Sequence, residues 1–193
     1  MRIEKKRPKW LAPADAVRFL EAAKAEGLEF YVLVMLLFYT GMRLGEALGL
    51  HVEDVRFEEN EIHIYPNEDR RLKNASSDRV MPLWTVLKVV LLLWVGDRKT
   101  GLLFRGHDGK RRKYIHRQAW VRVCKATGLK LNPHGARHTY ISQRRQCLDG
   151  GKPVSDSTVA EEVGHITTDQ IEKTYGHVAP VRVRVEGFDY ATS

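Results

Sequence analysis

The 193-residue sequence carries 32 Lys and Arg against 24 Asp and Glu, a formal charge of +8 at neutral pH, and 43% of its residues are hydrophobic. That apolar content can fill a core and excludes wholesale disorder, and the length suits one domain with at most a small appendage. Two cysteines, Cys124 and Cys147, are too few for a disulfide framework or a CxxC clip, and the longest apolar run, Phe30 to Tyr39, is about half the roughly 20 residues of a membrane span.

The chain opens on a basic stretch, residues 1–10 (MRIEKKRPKW), with no apolar segment behind it of the secretory type, so the cytoplasm is the expected compartment. Pro13 suits a first helical turn, and Ala14 to Ala25 repeats apolar residues at helical spacing until Gly27. Phe30 to Thr40 reads as a buried helix, and Arg43 to Leu48 as a short one after a break at Gly41. Glu61 to Tyr65 alternates as a strand does, Arg79 to Leu83 reads as a second, and Asn67 to Asp78 is a polar connection between them. Val55 to Phe57 is expected to add an edge strand. Trp84 to Val95 is an apolar-rich helix, His116 to Thr127 an amphipathic one stopped by Gly128, and Pro133 opens another running to about Gln146. Asp149 to Asp156 reads as a loop, followed by short helices over Ser157 to Val163 and Thr168 to Tyr175. The sum is a mostly α-helical α+β protein with a small three-stranded antiparallel sheet.

Charge is unevenly placed. Between Gly109 and Leu148 there is no acidic residue but there are eleven basic ones, and subtracting them from +8 leaves −3 for everything else. A one-sign surface repels itself unless a polyanion binds it, so the stretch points to nucleic acid. Lys110, Arg111, Arg112, Lys113, Arg117, Arg122 and Lys125 are its candidate nucleic-acid contacts.

A handful of groups have chemical potential beyond charge. Arg43 and Glu46, three apart on a short helix, share a face and can pair. Arg43 also follows a nearly uncharged helix, so it is expected to be half-buried, where an arginine needs an anion. His134, Arg137 and His138 fall in Pro-His-Gly-Ala-Arg-His at the start of a helix. The two histidines imitate half of a zinc site, but the intervening Glu and a third ligand cluster are missing, so no metal is expected. Lys73 alone reads as an exposed loop lysine, and His165 and Tyr175 alone as structural residues. No P-loop, GxGxxG or Ser-His-Asp order occurs.

Taken in order, the set is Arg43-x-x-Glu46, Lys73, His134-x-x-Arg137, His165 and Tyr175. Here the chain resembles the catalytic domain of the tyrosine recombinase (phage integrase) family. The matching stretches are Thr40 to Glu46 (TGMRLGE), Lys73 to Leu83 (KNASSDRVMPL), His134 to Thr139 (HGARHT), Val163-Gly164-His165 and Thr174 to His177 (TYGH), over roughly Leu11 to Val178. The resemblance implies a catalytic domain at 11–180, preceded by an arm or linker at 1–10 and followed by a tail at 181–193. It also implies site-specific DNA recombination through a 3′-phosphotyrosyl intermediate.

By that resemblance Tyr175 is the nucleophile, His134 the general base and Lys73 the general acid for the leaving 5′ oxygen. Arg43 and Arg137 give bidentate donors to the scissile phosphate, and His165 is a third donor. Glu46 would orient Arg43 or His134 from behind. Such chemistry needs no metal, ATP or other cofactor, and four protomers normally assemble on two DNA sites. The same fold without turnover, as a DNA-binding module, and type IB topoisomerase-like strand passage are the alternatives. Family members usually carry a helical core-binding domain before the catalytic one, and here only the basic arm precedes it. Two further departures are Ala136, in place of a larger apolar residue, and a few extra residues between Arg137 and His165, expected in Cys147 to Val154. Val181 to Val185 alternates apolar and basic residues and is expected to pack as a strand, in cis or on a neighbouring protomer.

Overall fold

A computed structural model describes residues 10–70, 78–106, 108–112, 114, 116–164, 185–186 and 188–190. Its centre is α2 (Leu28–Thr40), whose sequence after Glu29 carries no charge and whose residues Val32 to Thr40 are all buried. A helix apolar all round has no face to give to water. Accordingly α2 packs against three others: α1 (Pro13–Lys24), α4 (Thr85–Val95) and α6 (Pro133–Arg144). Phe19 of α1 stacks on Phe38 of α2, ring centroids 5.6 Å apart, and meets Trp120 of α5 (Arg117–Thr127) at 5.1 Å. Aromatic burial thus joins the first two helices to one far along the chain.

The helix ends follow local chemistry. α2 stops at Gly41, left-handed at φ 62°, whose N–H donates to Leu37 O. Next comes α3 (Leu44–Leu48), shorter by one residue than expected because Arg43 has extended dihedrals and acts as its cap residue. α6 begins with Asn132, whose side chain accepts from the Gly135 N–H at 2.8 Å, and with Pro133 in the first turn.

The expected sheet is present. β1 (Val55–Arg56), β2 (Glu61–Ile64) and β3 (Arg79–Pro82) run antiparallel in that order, with Ile62 opposite both Val55 and Met81. Strand alternation turns Ile62, Ile64, Met81 and Arg79 toward the core while Val80 faces out.

A second sheet was not anticipated. The helix expected to reach Gln146 ends at Arg144, and β4 (Cys147–Asp149) turns back into β5 (Lys152–Pro153) where a loop was expected. Gly150 and Gly151 take φ 55° and 75°, the pair of positive values that a tight two-residue hairpin requires. α7 (Asp156–Val163), capped by Ser155, follows. β6 (Val185–Glu186) joins β4 in parallel, so the described end of the expected strand pairs in cis. The expected helix over Thr168 to Tyr175 and residues Val181 to Arg184 lie outside the described residues.

Residues 188–190 enter the core. Phe188 and Tyr190 are buried among Phe38, Tyr39, Trp84 and Tyr140, the Tyr190 hydroxyl donates to Phe38 O at 2.8 Å, and the Tyr39 hydroxyl donates to Asp189 Oδ1 at 2.8 Å. Burial pushes the Tyr190 and Tyr39 phenols well above their ordinary range, the Tyr39 phenol also through Asp189. Both stay neutral.

Candidate active site

The α2–α3 junction aims the first candidate. The left-handed turn at Gly41 leaves no room for a side chain, since a Cβ there would lie 2.5 Å from Tyr140 Cδ1. Two residues later Arg43 emerges with its side chain 35% exposed, the half-buried state that the sequence predicts. Glu46, nearly buried, grips it twice: Oε1 accepts from Nη1 at 2.9 Å and Oε2 from the backbone N–H at 2.8 Å. Of the two partners expected for Glu46, the structure gives it Arg43.

A third bond to Glu46 comes from an arginine absent from the sequence-derived set. Arg79 of β3, its side chain only 2% exposed, donates from Nη2 to Glu46 Oε2 at 2.9 Å. Burial on its own raises the Glu46 carboxyl. The charge and bond of Arg79, with the two bonds from Arg43, outweigh that effect and hold it below the ordinary glutamate value. Glu46 therefore stays ionised.

α6 contributes the His-x-x-Arg pair. Arg137 is 2% exposed and donates from Nη1 to Gly41 O and from Nη2 to Val163 O, each at 2.7 Å. His134, one turn earlier, is exposed. Its ring meets that of His138 edge-on at 4.5 Å, and both line a cleft of about 390 Å³ with Lys130, Leu131, Asn132 and Gly135. The two members of the motif thus separate by depth, Arg137 inside and His134 at the mouth. Among the described residues no three His, Cys, Asp or Glu side chains gather as a metal ion would need.

The elements meet at the end of α7. Arg79 Nε donates to Glu162 O at 2.8 Å, Arg137 Nη2 to Val163 O at 2.7 Å, and Arg43 Nη2 to Gly164 O at a long 3.5 Å. Three guanidiniums from three elements so converge on three successive carbonyls. The physical reason is the helix terminus, whose last carbonyls lack intrahelical partners and carry the negative end of the dipole. Gly164 closes the helix at φ 65°, and a Cβ on it would stand 3.0 Å from Arg79 Nη1. His165 is the next residue in sequence. His165, Lys73 and Tyr175 lie outside the described residues.

Beneath this cluster lies a further buried network. Glu162 accepts from Tyr140 at 2.8 Å and from Arg144 at 2.9 to 3.1 Å, while Arg144 also pairs with Asp149 and lies 4.8 Å over the Trp84 ring. Arg70, 1% exposed, donates to Asp54 Oδ2 at 2.7 Å, to Gly49 O at 3.1 Å and to Tyr65 O at 2.9 Å. Two buried arginines, Arg70 and Arg79, hence stand on either side of the connection that carries Lys73. Strand alternation with Met81 is the signal that points Arg79 inward. Nothing local marks Arg70, which sits in a polar run.

The basic stretch is less uncompensated than its composition suggests. Arg112 makes two parallel bonds to Glu29 at 2.9 and 2.8 Å, joined by His116 at 3.2 Å, and Arg122 binds Glu26 at 2.6 to 3.0 Å. Arg145 pairs with Asp156, Arg144 and Arg137 are buried, and Arg111 donates to Gly45 O. The expectation of a face that only a polyanion neutralises is thereby corrected, because acids arrive from α7, from Glu26 in the turn joining α1 to α2, and from Glu29 in the first turn of α2. Lys110, Arg117 and Lys125 are exposed, and Lys113 lies outside the described residues.

The sequence model of the Phage integrase family matches residues 9–181. Tyrosine recombinase XerC of Corynebacterium glutamicum is 30% identical over 195 residues, covering 95% of this chain and 59% of the relative. Among solved structures, the Tn1549 transposon integrase in complex with circular intermediate DNA superimposes with a TM-score of 0.72 at 20% identity, over 91% of this chain and 65% of that one. The catalytic domain of bacteriophage HP1 integrase gives 0.65 at 20% identity, over 91% of each chain. The chain spans about three fifths of the length of the curated relatives that it matches.

Proposed function

Since this chain belongs to the phage integrase family, we propose that it is the catalytic domain of a tyrosine recombinase, which cuts and rejoins double-stranded DNA at a specific site through a 3′-phosphotyrosine. The observation that carries the reading is the convergence of Arg43 and Arg137 on the consecutive carbonyls of Val163 and Gly164 at the end of α7, the residues that immediately precede His165 in the sequence. Two forked cations held side by side suit the non-bridging oxygens of one phosphate.

In this reading the Tyr175 phenol oxygen attacks phosphorus while His134 takes its proton. The P–O5′ bond breaks, and Lys73 protonates the departing 5′ oxygen. Arg43, Arg137 and His165 stabilise the charge that builds on the phosphoryl oxygens. Religation runs the same steps backward, and the phosphotyrosyl ester conserves the bond energy, so no nucleotide or other cofactor is consumed. Glu46 keeps Arg43 in position. Lys110, Lys113, Arg117 and Lys125 supply the DNA-facing charge, and Arg111, Arg112 and Arg122 contribute less because they are bonded to Gly45 O, Glu29 and Glu26. Four copies on two DNA sites, a catalytic unit spanning residues 11–180, and a cytoplasmic, nucleoid-bound location complete the proposal. Among the described residues no helix is long and apolar enough to cross a membrane.

The test uses a nicked duplex carrying a site that the protein itself selects from a random-sequence duplex pool. A denaturant-resistant protein–DNA adduct is expected with the native chain and not with Tyr175→Phe. An adduct that persists in the variant, or binding with no adduct at all, would sink the reading.

A further inference from the structure

We propose that Arg79 is a positioning residue for strand cleavage, fixing Arg43 through their shared Glu46 carboxylate and locking β3 to the end of α7. The inference rests on the recombinase reading above and adds to it a buried residue that acts through Glu46. The Arg79 side chain is 2% exposed, and its guanidinium reaches in two directions, Nη2 to Glu46 Oε2 at 2.9 Å and Nε to Glu162 O at 2.8 Å.

Charge explains why such a residue is needed. Arg43 and Glu46 alone neutralise one another, and a carboxylate satisfied only by Arg43 competes with the phosphate for it. Arg79 brings the cluster to a net +1 and occupies the face of Glu46 Oε2 that Arg43 leaves open. Position matters as much. One guanidinium ties together the start of α3, which carries Arg43, the first residue of β3, which follows the Lys73 connection, and the last turn of α7, which precedes His165. Gly164 lies against its flank, where a Cβ would stand 3.0 Å from Arg79 Nη1 and press on the guanidinium. A lysine at 79 keeps the charge but has no planar fork to serve both acceptors.

Glu46 also offers a readout that mere packing lacks. The charged groups around it are Arg43 on its own element and Arg79 from β3, with Arg137 of α6 and Arg111 bound to the neighbouring Gly41 and Gly45 carbonyls. Burial raises its carboxyl, and Arg79 is the largest influence opposing that rise. Removing Arg79 allows Glu46 to protonate and release Arg43.

The experiment compares Arg79→Lys, Arg79→Gln, Glu46→Gln and the double variant Glu46→Gln/Arg79→Gln with the native chain. Adduct formation on the selected nicked duplex, equilibrium binding to that duplex and thermal unfolding are measured for each. Arg79→Gln is expected to slow adduct formation about 100-fold, the scale of an ångström-sized misplacement, with duplex affinity within about threefold. Its rate relative to native should rise with pH as Glu46 ionises, and Arg79→Lys should abolish that extra pH dependence without recovering the full rate. The double variant should be no slower than the slower single one. Arg79→Lys at native rate, additive losses in the double variant, or losses that only track the unfolded fraction would overturn the inference. A native chain that forms no adduct overturns the recombinase reading and this inference with it, whereas an active native chain beside an unaffected Arg79→Lys overturns this inference alone.

Discussion

Glu46 shows how much one buried carboxylate can settle. Its oxygens take three hydrogen bonds from two arginines, and it remains ionised although burial opposes ionisation. Because its folded-state carboxyl titrates below the unfolded one, its contribution to stability is full above the ordinary glutamate value of about 4.3 and is lost as pH falls through the lower, folded value. The stability gap between the native chain and Glu46→Gln should therefore be constant from about pH 6 to 8 and shrink in acid, as measured by urea unfolding across pH. A gap that widened toward acid would contradict the geometry. Arg43 and Glu46 were legible as a pair from their spacing alone. Arg79 was not, because an arginine at the start of a strand reads as solvent-facing unless its alternation with Met81 is given more weight than its charge.

The element most constrained is the α2–α3 turn. Gly41 combines a left-handed φ of 62° with a Cβ position 2.5 Å from Tyr140 Cδ1, and its carbonyl accepts from Arg137. Gly41→Ala is expected to cost about 2 kcal/mol or more, from the disfavoured backbone region plus the overlap. It should also impair cleavage beyond the stability loss, since the turn seats both arginines, and chemical denaturation beside the adduct assay separates the two effects. The break at Gly41 was readable because glycine interrupts an apolar helix there. The β4–β5 hairpin was not so readable. Its Gly150-Gly151 pair is a hairpin signal, but its strands are two and three residues long and hold no apolar alternation to announce them.

At the scale of the molecule, two sets of long-range interactions decide behaviour. Phe188 and Tyr190 fill the space between α2, α4 and α6, so Phe188→Ala is expected to cost about 3 kcal/mol in unfolding free energy, the range for a truncated core aromatic. A change under half that size would mean that this end of the chain only rests on the domain. The second set is the ion pairing of Arg112 and Arg122 with Glu29 and Glu26. Neutralising an exposed candidate for DNA binding such as Lys110, Arg117 or Lys125 should reduce the log–log salt slope of DNA binding by about 0.9 for each phosphate left without its cation. Neutralising Arg112 or Arg122 should reduce it by less, because each already faces a carboxylate. Equal effects would show that DNA displaces both glutamates.

By itself the sequence determined the helical class, the first sheet, the break that presents Arg43, and the ordered set from Arg43 to Tyr175. These depend on local spacing, on glycine and proline geometry, and on motif order, all of which are written along the chain. Only the tertiary structure decided that Arg79 joins Arg43 and Arg137 at the end of α7, that Arg70 is buried, and that Glu26 and Glu29 partly neutralise the basic stretch. Those outcomes depend on partners distant in sequence, 16 residues apart for Arg70 and Asp54 and 121 for Arg43 and Gly164. Whether a charge is buried, paired or left exposed is set by what folding brings beside it.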